Sequence, residues 1–308
     1  MTEEELEGEF EDQYRELEPE DQYRKQEPST DFEDARIPSM SFTDDHTTHY
    51  SAYPMDTVQI FSVKLAATRG SLQLPLDVFG TVEVRDHIDH NRNIIFQRTR
   101  NDCQTLTEED PYLLLAGPTR AVMFMVSSPA AVEIDLKVRG APESEDEDLS
   151  FLVAPVTCFS TMYSCLLNCA CTSKLSTLEF TLGHIISSVE ATIFVRVIHG
   201  SWPDGLHGVF AAFTTGIYDD RIVLLDSRGE RLPITGDGNI KLSRRVVSVE
   251  TSGKLVVRVK ALEGDKQVEK ETSFDPLEAS SSISDLEFSF CKMEVTVFWL
   301  LISYYPEL

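Results

Sequence analysis

The sequence predicts an all-β protein in which two similar β-sandwich-like modules follow an acidic tail. From about Val58 onward, short β-branched and aromatic runs alternate with polar residues at a period of two, which is typical of half-buried strands. Turn residues separate these runs at intervals of about ten residues, as in sandwiches and barrels. The second half of the chain also repeats the first, which predicts two modules of one fold.

The first 56 residues differ in composition from the rest. They hold 18 acidic and 4 basic residues, in a chain of net charge −25. Such a segment buries too little apolar surface to offset chain entropy, so we predict a disordered acidic tail over residues 1–56. It contains two copies of a short unit, EDQYRELEP and EDQYRKQEP, with Tyr14 and Tyr23 at equivalent positions. A tandem docking motif built on these tyrosines is the alternative to a solvated repeat.

The predicted strands follow one another without an amphipathic helix of several turns. We place the first module at residues 57–185 and the second at residues 186–308. The strands predicted for the first are QIFSVKLAA, GTVEVRD, NIIFQRT, AVMFMVS, AVEIDLKV, LSFLVAPV and TLEFTLGHI. Those predicted for the second are ATIFVRVI, GVFAAFTTG, DRIVLLD, RVVSVE, KLVVRVKAL and EVTVFWLLIS.

The repeat aligns residues 80–115 with residues 208–243 without a gap. Apolar positions of one copy then fall on apolar positions of the other. The matched pairs include Gly80 and Gly208, Ile94 and Ile222, Ile95 and Val223, Phe96 and Leu224, and Arg100 and Arg228. This agreement predicts two copies of one strand–turn–strand unit.

Shorter matches extend the repeat, each joining two strand-like segments of similar apolar pattern. They are 131–140 with 253–262, 176–183 with 284–291, 189–198 with 293–302, and 63–65 with 195–197. The strand type of residues 189–198 is therefore expected at the beginning, in the middle and at the end of the fold.

Charge and apolar runs restrict the partners. A net charge of −25 repels nucleic acid phosphates and anionic membranes, so we expect neither as a partner. The N-terminus lacks the basic and apolar regions of a signal peptide, and the longest apolar run, VTVFWLLI, is shorter than the ~18 residues that cross a bilayer. We therefore expect no membrane span, reduced cysteines, and a cytoplasmic or nuclear protein.

Residues 224–242, LLDSRGERLPITGDGNIKL, resemble a ligand loop because glycines and carboxylates alternate in them. A phosphate loop needs a following helix and a Lys-Ser/Thr pair, and an EF-type calcium loop needs acidic residues at alternate positions. Neither pattern is present. Gly229 aligns with Asn101 and Gly238 with Asp110, and all four residue positions accept turn conformations. We predict two successive β-turns.

Two loop clusters offer metal-ligand chemistry. His87 and His90 could bind zinc together with a carboxylate, although a solvated loop is the reading we favour. Acidic residues of two aligned loops would meet at equivalent module ends and could form a calcium rim. These weaker candidates are Asp86, Asp89, Asp219 and Asp220. We expect solvated carboxylates there, and no cofactor.

Four cysteines lie close together at spacings C-x6-C-x3-C-x-C, namely Cys158, Cys165, Cys169 and Cys171. Structural zinc sites favour C-x2-C pairs, so we predict buried free thiols or one adventitious disulfide. Trp202 stands beside the turn signal Pro-Asp-Gly. An exposed ring there would be an interaction residue, whereas a ring that covers the end of the core is the alternative we favour.

The segments LEFTLGHIISSVEATIFVRVIHGSWPDG, FAAFTTGI, VLLDSRGERLPITGDGNIKLSRRVVSVE and MEVTVFWLLIS resemble an uncharacterised domain family of cereal grasses. The resemblance covers roughly residues 56–305 and is densest over 173–262. It implies a domain of unknown function. Some members are fused to ribosome-inactivating N-glycosidase domains, so the resemblance also implies a plant stress or defence context. This chain has no room for such a domain, and no catalytic residue carries over.

The sequence favours a non-enzymatic binding protein that meets another protein through loops or a sheet edge. No G-x-S-x-G elbow or other catalytic signature is present, so no catalytic residue is assigned. One alternative is an accessory or divergent protein of a ribosome-inactivating, rRNA N-glycosidase system. The other is a calcium-dependent lipid-binding or carbohydrate-binding module. The partner and the oligomeric state stay open.

Overall fold

The computed structural model describes residues 52–88, 91–157, 162–228, 230–264 and 266–303, without the side chains of residues 218, 219 and 303. Strands make up 62% of the structure, and the described residues contain no α-helix. The predicted all-β class is therefore confirmed, whereas Tyr14 and Tyr23 of the predicted tail lie outside the described residues. In the described part of the chain, no helix has the length and apolar character needed to cross a membrane.

The described residues form eighteen strands and two single 3₁₀ turns. The strands are β1 Ala52–Tyr53, β2 Met55–Thr68, β3 Leu76–Arg85, β4 Asn93–Arg98, β5 Gln104–Leu106, β6 Val122–Met123, β7 Ala131–Val138, β8 Glu147–Pro155, β9 Cys165–Thr172, β10 Ser176–Gly200, β11 His207–Thr214, β12 Ile217–Asp226, β13 Val246–Glu250, β14 Leu255–Glu263, β15 Lys266–Phe274, β16 Ser281–Glu287, β17 Cys291–Leu300 and β18 Ile302–Ser303. The 3₁₀ turns are Arg100–Asp102 and Glu143–Glu145.

The pairing among these strands is antiparallel and gives four sheets. The largest sheet has the order β16-β17-β10-β2-β6, with β9 and β13 also paired to β10. A second sheet has the order β4-β3-β7-β8, with β5 paired to β3, and a third has the order β12-β11-β14-β15. The short strands β1 and β18 pair with each other.

Strand β17 shows why these segments form sheet. Its residues alternate between buried and half-buried along the whole strand, at the period of two that a pleat imposes. The buried set is Cys291, Met293, Val295, Val297 and Trp299. One face therefore packs in a core while the other reaches the surface.

The described residues enclose two large hydrophobic cores and a smaller cluster of Met55, Ala121, Met123 and Ile302. We call the first sandwich the part whose core runs from Val58 to Leu182, and the second sandwich the part whose core begins at Ile185 and also takes in Phe61. The two cores change over within β10, which has a bulge between Ile185 and Ser188 and a positive φ of 44° at Ser187. The module bounds 57–185 and 186–308 stay a proposal, which these cores support.

The same backbone hydrogen bonds recur in both sandwiches. In the first, Leu65 N donates to Pro111 O and Leu113 N donates to Val63 O, each at 2.9 Å. In the second, Val197 N donates to Gly238 O and Ile240 N donates to Val195 O, again at 2.9 Å. The repeat and the match of 63–65 with 195–197 are therefore confirmed.

Strand pairing corrects the register of two other matches. Val82 pairs with Phe96, and its counterpart Phe210 pairs with Leu225, so Phe96 corresponds to Leu225 and not to Leu224. Gly80 pairs with Leu136, and Gly208 pairs with Ala261, whereas the alignment placed Leu136 on Arg258. The loops between the strands differ in length, so the alignment of residues 80–115 needs a gap after all.

The remaining matches joined segments that are not equivalent. Residues 189–198 and 293–302 lie on neighbouring strands, because Val195 of β10 pairs with Val295 of β17. Residues 284–287 belong to β16, whose counterpart in the first sandwich is β9. The segments TLEFTLGHI and ATIFVRVI, predicted as two strands, both lie within β10.

Candidate interaction surface

Two edge strands of the first sandwich belong to a segment without charge. Residues 149–173 contain no Asp, Glu, Lys or Arg, although 26% of the whole chain is charged. The segment includes most of β8, which is an edge of the second sheet, and all of β9, which pairs with β10. Hydrogen bonds from Ser173 Oγ (3.3 Å) and Ser176 Oγ (2.6 Å) to Leu149 O join the ends of these edges.

This segment, the apolar flank, exposes large hydrophobic side chains. Met162 is 72% exposed, Tyr163 71%, Phe151 48% and Leu166 36%. On the other face of β9, Leu167 packs against the first core. The flank therefore combines a strand that contacts the core through one face with an apolar surface open to solvent, which is typical of interaction sites.

The corresponding flank of the second sandwich has a different chemistry. Its edge strands β15 and β16 are the counterparts of β8 and β9, and hydrogen bonding of Thr272 Oγ1 to Ser284 Oγ at 2.7 Å ties them together. These two strands carry six charged residues, which are Lys266, Glu269, Lys270, Glu271, Asp285 and Glu287. Charges on edge strands resist pairing with other chains, so the second flank is protected where the first is not.

The cysteines of β9 are free thiols. The prediction of burial holds for Cys171 but is wrong for Cys169, which is exposed because it lies at the sheet edge. A hydrogen bond from the Cys171 thiol lowers the pKa of Cys169 and raises that of Cys171, and burial raises the latter further. Cys165 is partly buried, and Cys158 lies outside the described residues.

Comparison of the sequence with protein-family models identifies a family for this chain. Residues 57–297 match the family described as a domain of unknown function, DUF6598. The chain belongs to the DUF6598 family. The match spans both sandwiches, including the apolar flank, so this DUF6598 domain is the whole repeated unit and not one module.

Solved structures offer distant similarities to this DUF6598 chain. The human GIVD cytosolic phospholipase A2 is 10% identical, with a TM-score of 0.24 over 81% of this chain and 33% of that chain. The paired C2 domains of extended synaptotagmin 2 are 8% identical, with a TM-score of 0.25 over 87% of this chain and 99% of that chain. The chain thus spans about a third of the phospholipase. A comparison with curated proteins finds no match.

The calcium rim considered as a weaker candidate does not include Asp86, and the expectation of a solvated carboxylate is wrong at this residue. Its carboxylate is buried, accepts two hydrogen bonds from Arg120 at 2.6 and 2.7 Å, and accepts a third from Met123 N at 2.9 Å, so it is unavailable as a ligand. Asp220 lies within β12 and not in a loop, as does the backbone of Asp219. Asp89 lies outside the described residues. Over the residues described, no three His, Cys, Asp or Glu side chains are grouped to hold a metal ion.

Trp202 belongs to a core and not to the surface. Its side chain is 7% exposed, its ring lies 5.4 to 6.1 Å from the rings of Phe210, Phe288 and Phe290, and its Nε1 donates to Leu206 O at 2.9 Å. The exposed interaction residue considered from the sequence does not fit this burial. His87 lies in the loop after β3, where Nδ1 is 3.2 Å from Ser128 Oγ, and His90 is outside the described residues.

Residues 224–228 and 230–242 form turns and strand ends, as the sequence indicates. Gly238 N donates to Thr235 O at 2.9 Å, which closes one turn, and Gly238 has a φ of 87°. A side chain there would also overlap Val197 O. The glycine at 238 is therefore a backbone requirement, whereas Gly236 has neither a positive φ nor a close neighbour.

Buried charged side chains connect the two sandwiches, and the local sequence gives no sign of them. Glu190 of β10 is 2% exposed and accepts a hydrogen bond from Ala121 N at 2.7 Å. Burial raises the pKa of Glu190, while the Ala121 amide and the nearby Arg120 oppose that rise. Arg244, also buried, donates to Gly117 O at 2.7 Å and to Ile60 O at 2.5 Å, and burial lowers its pKa to about 10.

Glu190→Gln is expected to become more stable, relative to the unsubstituted protein, as the pH rises. The folded state holds the Glu190 proton more tightly than the unfolded state, whose pKa is near 4.5. The contribution of Glu190 to stability is therefore full below pH 4.5 and is lost as the pH rises through the raised pKa. Urea unfolding of both proteins between pH 4 and 8 measures this difference. A difference that does not change with pH, or an equal trend in the exposed control Glu179→Gln, would contradict the prediction.

Proposed function

We propose that this DUF6598 chain is a binding protein that pairs an extended segment of a partner protein with β9. One observation carries the proposal, namely an edge strand without charge on a flank that exposes large apolar side chains. Strand addition needs unpaired backbone N–H and C=O groups at a sheet edge, together with side-chain contacts for selectivity. Both are features of the apolar flank.

The backbone of β9 supplies the first requirement. Its residues pair with β10 on one side, from Cys165 opposite His184 to Thr172 opposite Thr177. On the other side, no described strand pairs with β9. The outward N–H and C=O groups of alternate residues therefore face away from the sheet, where an additional strand would bond to them.

The exposed side chains supply the second requirement. Leu166 stands on the outer face of β9, and Met162 and Tyr163 come directly before the strand. Large amphipathic or flexible apolar residues such as Tyr and Met are common at protein contacts. The partner that fits is an uncharged extended segment rich in β-branched or aromatic residues.

The proposal also extends to partner class and context. A net charge of −25 favours a protein partner over nucleic acid. The calcium-dependent alternative ranks behind strand addition, because the described residues lack a carboxylate cluster for the ion. A defence context beside rRNA N-glycosidase domains, and an origin in grasses, rest on the sequence resemblance.

Photo-crosslinking tests the strand-addition surface. A photoreactive residue at position 166 of the full chain is expected to crosslink one partner segment in an extract of the source tissue. The matched control position is Val268, an apolar residue that is 46% exposed on the charged edge strand β15. Peptide mapping of the products identifies the partner segment.

The substitution Ala170→Lys provides a second test of the same surface. The substitution places a charge at an exposed position of β9 and is expected to reduce crosslinking from position 166 at least tenfold, while stability changes by less than about 0.5 kcal/mol. Identical products from positions 166 and 268, or crosslinking that survives Ala170→Lys, would refute strand addition. Products that join two copies of this chain would replace the proposal with self-association.

A further inference from the structure

The outer face of the β12-β11-β14-β15 sheet carries a groove of about 190 Å³. Its floor is β11, where Val209 and Ala211 are nearly buried although they face away from the core. Cationic side chains from the neighbouring strands stand on both sides of this floor. The lining residues are Val209, Ala211, Phe213, Arg221, Arg258 and Lys260.

The cations of this groove differ in their partners. The Arg258 guanidinium lies 4.5 Å from the centre of the Phe213 ring and pairs with Glu269 at 3.0 Å and Glu271 at 2.8 Å. Lys260 pairs with Glu269 at 2.8 Å. Arg221, on the opposite wall, is exposed and makes no ion pair with any residue that the structure describes.

The repeat shows what occupies the same place in the first sandwich. Ala211 pairs with Arg258 across β11 and β14, as Glu83 pairs with Glu133 across β3 and β7. With the one-residue gap in the alignment, Arg221 is the counterpart of Arg92. Both sandwiches therefore keep an arginine at this position, but the residues facing it differ.

In the first sandwich the arginine is neutralised from within the chain. Arg92 Nε lies 2.9 Å from a Glu83 carboxylate oxygen and 3.4 Å from one of Glu133, and Arg85 Nε reaches Glu133 at 2.5 Å. The second sandwich replaces Glu83 with Ala211 and Glu133 with Arg258. It thus retains the arginine, loses both carboxylates, and leaves a groove where the Glu83 side chain would stand.

We propose that this groove binds a carboxylate side chain from an acidic segment of a partner protein, held between Arg221 and Arg258. Guanidinium groups bind carboxylates through charge-assisted and often bidentate hydrogen bonds, and the apolar floor accommodates the methylene groups of a Glu side chain. Small-molecule sites usually measure about 300–1,000 Å³, so a groove of this size suits one or two side chains of a protein segment. This surface is separate from the apolar flank and does not depend on strand addition.

Binding of a fluorescent hexaglutamate peptide to the full chain tests the proposal, with hexaglutamine as the uncharged control probe. Anisotropy titration at low salt is expected to show saturable binding of hexaglutamate. Arg221→Ala should weaken this binding at least tenfold. The matched control is Arg231→Ala, which removes the same charge from an 87% exposed arginine outside the groove and should change binding less than twofold.

Ala211→Glu provides a test from within the chain. It places a carboxylate where Glu83 stands in the first sandwich, so it should pair with Arg221 and Arg258 and abolish hexaglutamate binding. In urea unfolding it should be at least as stable as Ala211→Gln, which has the same shape without the charge. If Ala211→Glu is the less stable of the two or fails to fold while Ala211→Gln folds, the groove does not accommodate a carboxylate and the proposal is wrong.

The other outcomes are equally decisive. Absence of saturable hexaglutamate binding, equal binding of hexaglutamine, or equal losses in Arg221→Ala and Arg231→Ala would overturn the site. If free N-acetylglutamate or inorganic phosphate displaces hexaglutamate at a concentration equal to that of the peptide, the occupant is a small anion. That result would overturn the proposal of a protein segment in the groove.

Discussion

Arg120→Met is expected to lower the free energy of unfolding by about 3–5 kcal/mol. The Arg120 guanidinium is 3% exposed and makes a bidentate ion pair with Asp86, whose carboxylate is 2% exposed. It also partly counters the rise that burial causes in the pKa of Glu190. Methionine fills a similar volume but leaves the buried Asp86 carboxylate without its cation, in a region where water does not replace it. Equilibrium unfolding in urea at pH 7 measures the loss.

The control for this substitution is Arg139→Met. Arg139 pairs with Asp77 at 2.5 Å, but the two side chains are 38% and 33% exposed, so we expect a loss of about 0–1 kcal/mol. Adding Asp86→Asn to Arg120→Met should restore part of the stability, since one stranded charge is removed. A loss below about 1 kcal/mol for Arg120→Met would show that water reaches the cluster and that the ion pair is not a structural requirement.

The sequence identifies this fold through alternation and repetition. Strands such as β17 and β14, with one face in a core, show a clear period of two, and the repeat correctly indicates two sandwiches. Register is harder to obtain. Leu136 was aligned with Arg258 because the neighbouring segments share apolar residues, whereas cross-strand pairing places it with Ala261. Bulges and loop lengths fix register, and neither leaves a residue pattern in one sequence.

Three of the strands that the sequence pattern does not predict share one physical reason. Strands β9, β15 and β16 lie at sheet edges, where both faces of a strand reach solvent and the period of two fades. The cysteines of β9 were interpreted as a buried thiol cluster, although Cys169 is exposed. The absence of charge over residues 149–173 is a signal that could have identified the apolar flank.

The buried cluster could not be recognised from one sequence. Arg120 and Asp86 are 34 positions apart, and Glu190 contacts the backbone 69 positions away at Ala121. In its local sequence each of these charged residues resembles a surface residue. Charged residues are seldom buried unless they pair with a group elsewhere in the chain, and the local sequence does not show that partner. Arg221, which has no ion pair within the described part of the chain, likewise becomes informative only once strand pairing identifies Arg92 as its counterpart.

Gly80→Ala is expected to lower the free energy of unfolding by about 3 kcal/mol or more. Gly80 lies in the middle of β3 with a φ of 115°, a conformation that residues with a side chain rarely adopt. A methyl group there would also overlap the carbonyl oxygen of Asp135 on the paired strand β7, which is backbone and cannot move aside alone. Strain and overlap therefore act together, and urea unfolding measures their sum.

Substitutions at two other glycines distinguish backbone strain from steric overlap. Gly236 has open space around it and no positive φ. Gly236→Ala should therefore leave the free energy of unfolding unchanged or raise it by up to about 1 kcal/mol. Gly208 aligns with Gly80 in the repeat, but its φ is not positive and a methyl group would meet a Trp202 ring atom at 3.0 Å. Because a side chain can shift where backbone cannot, Gly208→Ala should cost less than Gly80→Ala. Equal losses at the two positions would mean that core packing, and not the backbone of β3, explains why both copies of the repeat carry glycine.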